Sequence, residues 1–262
     1  AKGWLLFIFF LPWVGLLLYV LIGRPRLPSW RIQRRWQYID LIEPVRRRME
    51  DLPQLVAPAV DIQYQPSVRL ATDLGMLNNL GGNAVELLTD YQGTINRIAA
   101  DIDVSRHHVH LCFYIFGDDA RTAIVIDALG RAVARGVICR VLIDAFGSRP
   151  SRRTLLPKLR ALGVAARVAL PVRVGRKSAR FDLRNHRKIV VIDGEIGYTG
   201  SQNMVSADFK PGLNYSELMV RIKGPSALQL QAVFGSDWFV ESGEFIGEAA
   251  FPLPVIAGNT AA

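Results

Sequence analysis

The chain has 262 residues, half of them hydrophobic, with a net charge of +9 and a pI near 9.9. That size allows one large domain or one ordinary domain with appended segments, and the basic balance points to an anionic partner: nucleic acid, lipid surface or phosphorylated substrate. The two cysteines, Cys112 and Cys139, lie inside apolar, strand-like runs. Their count and spacing exclude a cysteine metal site and favour buried free thiols in a reducing compartment.

The chain opens Ala-Lys and closes AGNTAA, which reads as a piece of a longer protein. Residues 4–22, WLLFIFFLPWVGLLLYVLI, carry no charge. As one helix they would reach roughly 28 Å, close to the thickness of a bilayer's hydrocarbon core, so a transmembrane helix is expected there. Pro12 and Gly15 are tolerated in such helices, and Trp4, Trp13 and Tyr19 are typical of them. No small-residue cleavage site follows, which argues against a signal peptide. Eight arginines against three acidic residues lie between Arg24 and Glu50. Positive charge beside a span marks the cytoplasmic side, so the rest of the chain is expected in the cytoplasm against an anionic leaflet.

Residues 23–70 are rich in proline and read as a basic juxtamembrane connector with one short helix. Beyond residue 70 the pattern becomes regular. AVELLTDYQGTINRIAADID has strand-like and then helical spacing, and HHVHLCFYIF reads as a strand. Asp118 and Asp119 start a helix that Gly136 ends. VICRVLIDAFG is a buried strand, RRTLLPKLRALG a helix ended by Gly163, and VAARVAL a further strand. This alternation predicts an α/β layer with a mostly parallel sheet, whose sites lie at the carboxyl ends of strands, as in the loop after Asp144.

His107, His108 and His110 could make half a metal site, but no cysteine or paired carboxylate joins them, and no metal is expected. The chemistry concentrates in RNHRKIVVIDGEIGYTGSQNM, residues 184–204. Strand alternation puts His186 and Lys188 on one face, an imidazole and an ammonium suited to a phosphate. The run Ile189–Ile192 anchors the strand, and Asp193-Gly194 signals a hairpin turn. Gly200, Ser201 and Asn203 then return, small enough for donors to approach an anion closely. Residues 172–187 carry six basic residues against Asp182 alone, a candidate positive mouth for anionic headgroups.

His-x-Lys-x4-Asp followed by x6-Gly-Ser-x-Asn is the signature of the phospholipase D superfamily, matched here by His186, Lys188, Asp193, Gly200, Ser201 and Asn203. The chain resembles the bacterial cardiolipin synthase family over nearly its whole length, in FFLPWVGLLLYVLIGRPR, GGNAVELLTD, YIFGDD, ARGVICRVLIDAFGS, RNHRKIVVIDG and GPSALQLQAVFGSDW. The resemblance implies a phospholipase D-like α/β/α sandwich half over residues 71–262, preceded by the transmembrane helix, at the bacterial inner membrane.

It also implies an activity without cofactor or metal. One phosphatidylglycerol would pass its phosphatidyl group to another, giving cardiolipin and glycerol through a phosphohistidine. One motif histidine attacks phosphorus, and the histidine of a second motif serves as acid and then base. His186 is one of that pair, either nucleophile or acid/base. Lys188, Ser201 and Asn203 would hold phosphate oxygens, with Gly200, Arg184 and Asn185 beside them, and Asp193 would orient the local hydrogen bonds. Glu217 would hydrogen-bond the outer nitrogen of the histidine.

Cardiolipin synthases carry two motifs and this chain has one. The partner is therefore a second phospholipase D-like half or a second subunit, and the chain alone should be inactive. Cys112 stands where many relatives have a polar residue. A phospholipase D-type hydrolase and a single-motif dimeric nuclease remain as alternatives, although the apolar segment and its arginines argue against a nucleic-acid substrate.

Overall fold

The computed structural model describes residues 2–20, 28–50, 60–75, 80–171 and 183–258. Its centre is a seven-stranded sheet, built from β1 (Ala84–Leu88), β2 (His108–Phe113), β3 (Ile138–Asp144), β4 (Ala165–Ala169), β5 (Lys188–Ile192), β6 (Ile196–Gly200) and β7 (Met219–Lys223). The strand order is β1-β7-β6-β5-β2-β3-β4. Only β2–β3 and β3–β4 pair in parallel, and the other four pairings are antiparallel. The mostly parallel sheet expected from the alternation is thus corrected. Among the described residues helices intervene between strands only as far as β4, and a three-residue turn, 193–195, makes β5 and β6 a hairpin.

Helices cover both faces. On one, α5 (Tyr91–Asp103), α6 (Ala123–Ala134) and α7 (Arg152–Ala161) bury Ile95, Ile98, Ile126, Leu129 and Leu155 against Leu111, Val141 and Val190. On the other, α8 (Ser226–Ser242) packs Leu228, Phe234 and Trp238 against Cys112, Leu142, Ile189 and Val191. Successive side chains of β5 alternate between these two cores, as the period of a strand buried on both faces requires. The α/β/α sandwich expected for the folded part is therefore present. Both cysteines are free and buried in it. Helix α6 starts at Ala123 rather than at Asp119, whose carboxylate accepts the backbone N–H groups of Arg121 and Thr122 one turn earlier.

Two expectations for the first 70 residues need correction. A 22-residue helix, α3 (Ser29–Glu50), occupies much of the stretch expected as a connector with one short helix. It lies on α8, where Arg31 makes two hydrogen bonds of 2.6 and 2.9 Å to Glu241, and the Tyr38 hydroxyl donates to the Ala232 carbonyl. A further helix, α4 (Gln65–Gly75), crosses the expected boundary at residue 70.

The single spanning helix expected over 4–22 is not formed: among the described residues no helix is long and apolar enough to cross a membrane. Two short helices, α1 (Lys2–Phe10) and α2 (Pro12–Leu18), stand there instead, and residues 21–22 lie outside the described ones. Pro12 disfavours the helical conformation of the residue before it, and Leu11 leaves the helix at φ −133°, ψ 72°.

Candidate active site

Strand register brings the site together. Lys188, first in β5, pairs with Phe113, last in β2, so the segment carrying His186 meets the chain as it leaves β2 at Tyr114. Gly200, last in β6, pairs with Met219, first in β7, two residues after Glu217. Asp144 ends β3. All these positions lie on one edge of the sheet, at the carboxyl ends of β2 and β3, where the alternation of elements predicted a site.

The ring of His186 is exposed, while Lys188 is only 3% exposed. The Lys188 ammonium sits 3.0 Å from Nδ1 of His186 and donates to the His186 carbonyl at 2.8 Å. Tyr114 packs on the imidazole, with ring centroids 4.7 Å apart. Surrounding protein, and then the Lys188 charge, lower the His186 pKa below the ordinary imidazole value; Asp144 and Glu217 pull the other way. Burial lowers the Lys188 pKa, against the opposing pull of Glu217. The neutral, nucleophilic imidazole is thereby favoured at neutral pH, beside a cation able to neutralise a phosphate oxygen.

Glycine is required at position 200. Its φ is +155°, and a Cβ would stand 2.3 Å from the Leu218 carbonyl oxygen. Ser201 fixes the same junction, its N–H donating to that carbonyl at 2.9 Å and its exposed Oγ accepting from the Leu218 N–H. The chain then crosses the start of β5 to reach the exit of β2. There Asn203 Oδ1 accepts from the Ile115 N–H at 3.1 Å, and Met204 pairs with Ile115 and Gly117.

Three expected site residues stand elsewhere. Asp193 is at the far end of β5, roughly 16 Å from Lys188 at the rise of a strand. With φ +54° it forms the hairpin turn beside Gly194. Its carboxylate accepts the N–H groups of Arg106, His107 and His108 at 2.8 to 2.9 Å, so it fastens the start of β2 to the end of β5. Arg184 and Asn185 also turn from the ring. Asn185 is buried, its amide donating to Asp237 of α8 at 2.8 Å and its backbone N–H to Asp144 at 3.1 Å. Arg184 reaches the Leu170 carbonyl and stacks over Phe146. Both line a pocket of about 210 Å³ with Arg31, Arg35, Arg187 and Asp237. Strand alternation explains Asn185, which with Arg187 faces away from His186 and Lys188. Arg184 shares their parity and is held aside by the Leu170 carbonyl and the Phe146 ring. Glu217 is half-buried and near enough to raise the pKa of both His186 and Lys188, through space.

Tyr114 and Asp144 were not singled out in the sequence as site residues. The register of β2 and β3 against β5 would have pointed to them, because it carries the ends of both strands to Lys188. Of the basic mouth, residues 172–182 lie outside the described residues. The buried rings of His108 and His110 stack at 4.7 Å on the α8 face of the sheet, and His110 meets Gln231 and Arg140 through its two ring nitrogens. Among the described residues no three His, Cys, Asp or Glu side chains are grouped to hold a metal.

The family described as cardiolipin synthase, PLD-like domain, matches residues 98–238. Cardiolipin synthase A of Proteus mirabilis is 34% identical over 247 residues, which cover 92% of this chain and 51% of that protein. The same enzyme of Yersinia pseudotuberculosis is 33% identical over 252 residues. The chain spans about half the length of the curated relatives it matches. Among solved structures, the phospholipase D family member Nuc of Salmonella typhimurium is similar, with 20% identity, a TM-score of 0.48 and coverage of 61% of this chain and 96% of Nuc. NucT of Helicobacter pylori is similar too, with 18% identity, a TM-score of 0.46 and coverage of 61% of this chain and 96% of NucT. A family match over more than half the residues, bracketing the His186–Lys188 motif, means that this chain belongs to the cardiolipin synthase family of phospholipase D-like domains.

Proposed function

We propose that the chain supplies one half of a phosphatidyl-transfer site at the bacterial inner membrane, with His186 as nucleophile. The observation that carries this is the exposed His186 ring with the Lys188 ammonium 3.0 Å from its Nδ1. The imidazole attacks the phosphorus of phosphatidylglycerol, and the phosphorus–oxygen bond to the glycerol headgroup breaks. The leaving oxygen takes a proton from the histidine of a second half or second subunit, which gives free glycerol and a phosphatidyl-histidine. A hydroxyl of a second phosphatidylglycerol then loses its proton to that same acid/base and attacks phosphorus, forming cardiolipin and restoring the ring. Lys188, Ser201 and Asn203 stabilise the oxygens of the crowded phosphorus, and Glu217 steadies the imidazolium from a distance. Asp193 serves the scaffold, and Arg184 and Asn185 hold the approach to β5.

Membranes containing the full-length protein, given labelled phosphatidylglycerol, test the reading. Cardiolipin with glycerol is expected; phosphatidic acid would make it a hydrolase, and nicked DNA a nuclease. His186→Ala should abolish turnover and leave membrane association intact. Activity retained in that variant would remove His186 from the mechanism.

A further inference from the structure

Residues 2–20 form a turn-back. The rings of Trp4 and Tyr19 lie 5.7 Å apart between centroids, whereas one continuous helix would separate those positions by roughly 22 Å. Helices α1 and α2 therefore run back along each other from a break at Leu11-Pro12. Gly15 permits the close approach: a Cβ there would stand 2.8 Å from the Cα of Ile8. At the bend the Leu11 carbonyl accepts from the Gly15 N–H, and proline brings no donor that would need a partner.

From Trp4 to Leu11 there is no charged residue. The side chains around the tip point outward, with Phe9 78%, Phe10 73% and Trp13 84% exposed. Contiguous exposed apolar patches of this kind mark contact with a membrane or a partner. Seven helical rises carry the chain roughly 10 Å from the open end to the tip, and the tip rings add several more. Half the hydrocarbon core is roughly 15 Å. Trp4 and Tyr19 sit at the open end, where aromatic side chains meet a membrane's headgroup level. Arginines follow in sequence, the charge complement of an anionic leaflet.

We propose that residues 4–20 enter one leaflet as a re-entrant hairpin and leave on the side they entered, instead of crossing the bilayer. The occupant of the apolar surface is acyl chain, and Gly3 and Ser29 lie on the same face of the membrane as the sandwich.

Single-cysteine labelling of the full-length protein in sealed vesicles tests this, because Cys112 and Cys139 are buried and give little background. A membrane-impermeant maleimide should label Gly3→Cys and Ser29→Cys from the same side, in inverted vesicles and not in right-side-out ones. Leu11→Cys should stay unlabelled from either side until detergent is added. Labelling of Gly3→Cys only from the opposite side would establish a spanning helix and overturn the proposal. It would also be overturned if Leu11→Cys reacted freely in sealed vesicles. If the tip is covered by a second copy, Leu11→Cys would cross-link between subunits while the protein washed off in carbonate, and that too would overturn it. The readout is independent of catalysis, so it can fail without touching the assignment of His186.

Discussion

The phenol ring of Tyr114 carries two neighbours: the imidazole of His186, tilted at 48° with centroids 4.7 Å apart, and the ammonium of Lys188, 5.7 Å from its centroid. An aromatic face here confines the exposed histidine and attracts the cation. Tyr114→Phe keeps that face and should leave kcat within about threefold of the parent. Tyr114→Ala frees the ring and should lower kcat about tenfold or more, with a smaller change in KM. Steady-state kinetics on the full-length enzyme check both variants.

Glu217 raises the pKa of His186 and Lys188 lowers it. Glu217→Gln should therefore move the imidazole titration further below its ordinary value, and the acid limb of kcat/KM should follow it downward if His186 acts as the neutral nucleophile. An NMR titration of the His186 ring supplies the first number and a pH–rate profile the second. An unchanged titration would show that the carboxylate is not felt at the ring, and an upward shift would reverse its assigned sign.

Burial pushes the pKa of His108 down from 6.5 to about 4, and holds His110 well below its ordinary value. The unfolded chain therefore binds more protons than the folded one between about pH 4 and 6.5. Stability should be complete above pH 6.5 and fall as pH drops towards 4, by about 3 kcal/mol at most from His108. Urea denaturation across this range checks the slope. His108→Gln should flatten it.

Arg31 and Glu241 form a buried ion pair between α3 and α8, with both side chains under 10% exposed. Glu241→Ala strands the guanidinium and also removes the acceptor of the Leu170 N–H. A loss of about 3–5 kcal/mol is expected, and less for Glu241→Gln, which keeps an acceptor. Chemical denaturation of the two variants side by side gives the difference.

Gly200→Ala places a methyl group against the Leu218 carbonyl in a backbone region that alanine avoids. The β6–β7 junction must spread, displacing Ser201 and Glu217 together. A loss of about 2 kcal/mol or more and a large drop in kcat are expected, read by thermal unfolding and by turnover.

Local patterns in the sequence located the strands, the hairpin turn and the helices α5, α6 and α7, because each is written in nearest-neighbour periodicity; α8, apolar around most of its circumference, was not read from it. His186 beside Lys188 was legible for the same reason, since two residues on one strand face need no knowledge of the rest of the fold. Direction of pairing was not legible: the runs that became β5, β6 and β7 look alike whether their neighbours run parallel or antiparallel. The distance of Asp193 from the ring was not legible, because the motif spacing places it near the histidine in sequence while an extended β5 carries it to the opposite end. Asn185 shares the motif's run but not its facing, and alternation alone could have separated it. Arg184 has the parity of His186, and its turn towards Leu170 and Phe146 is a tertiary contact that no strand period encodes. The apolar run over 4–22 read as one helix because hydropathy carries length and no direction. A reversal at Pro12 depends on Gly15 meeting Ile8, a packing contact to which a sum of hydropathies is blind.

Asp237 grips Asn185 and Arg187 from beneath the motif, and four residues further along α8 Glu241 grips Arg31. The segment that carries the reactive ring is thus joined to α3 by a short train of side-chain hydrogen bonds through α8. Asn185 and Arg187 flank His186 on the chain, so the seat of the imidazole is set from below by α8 and, through it, by α3.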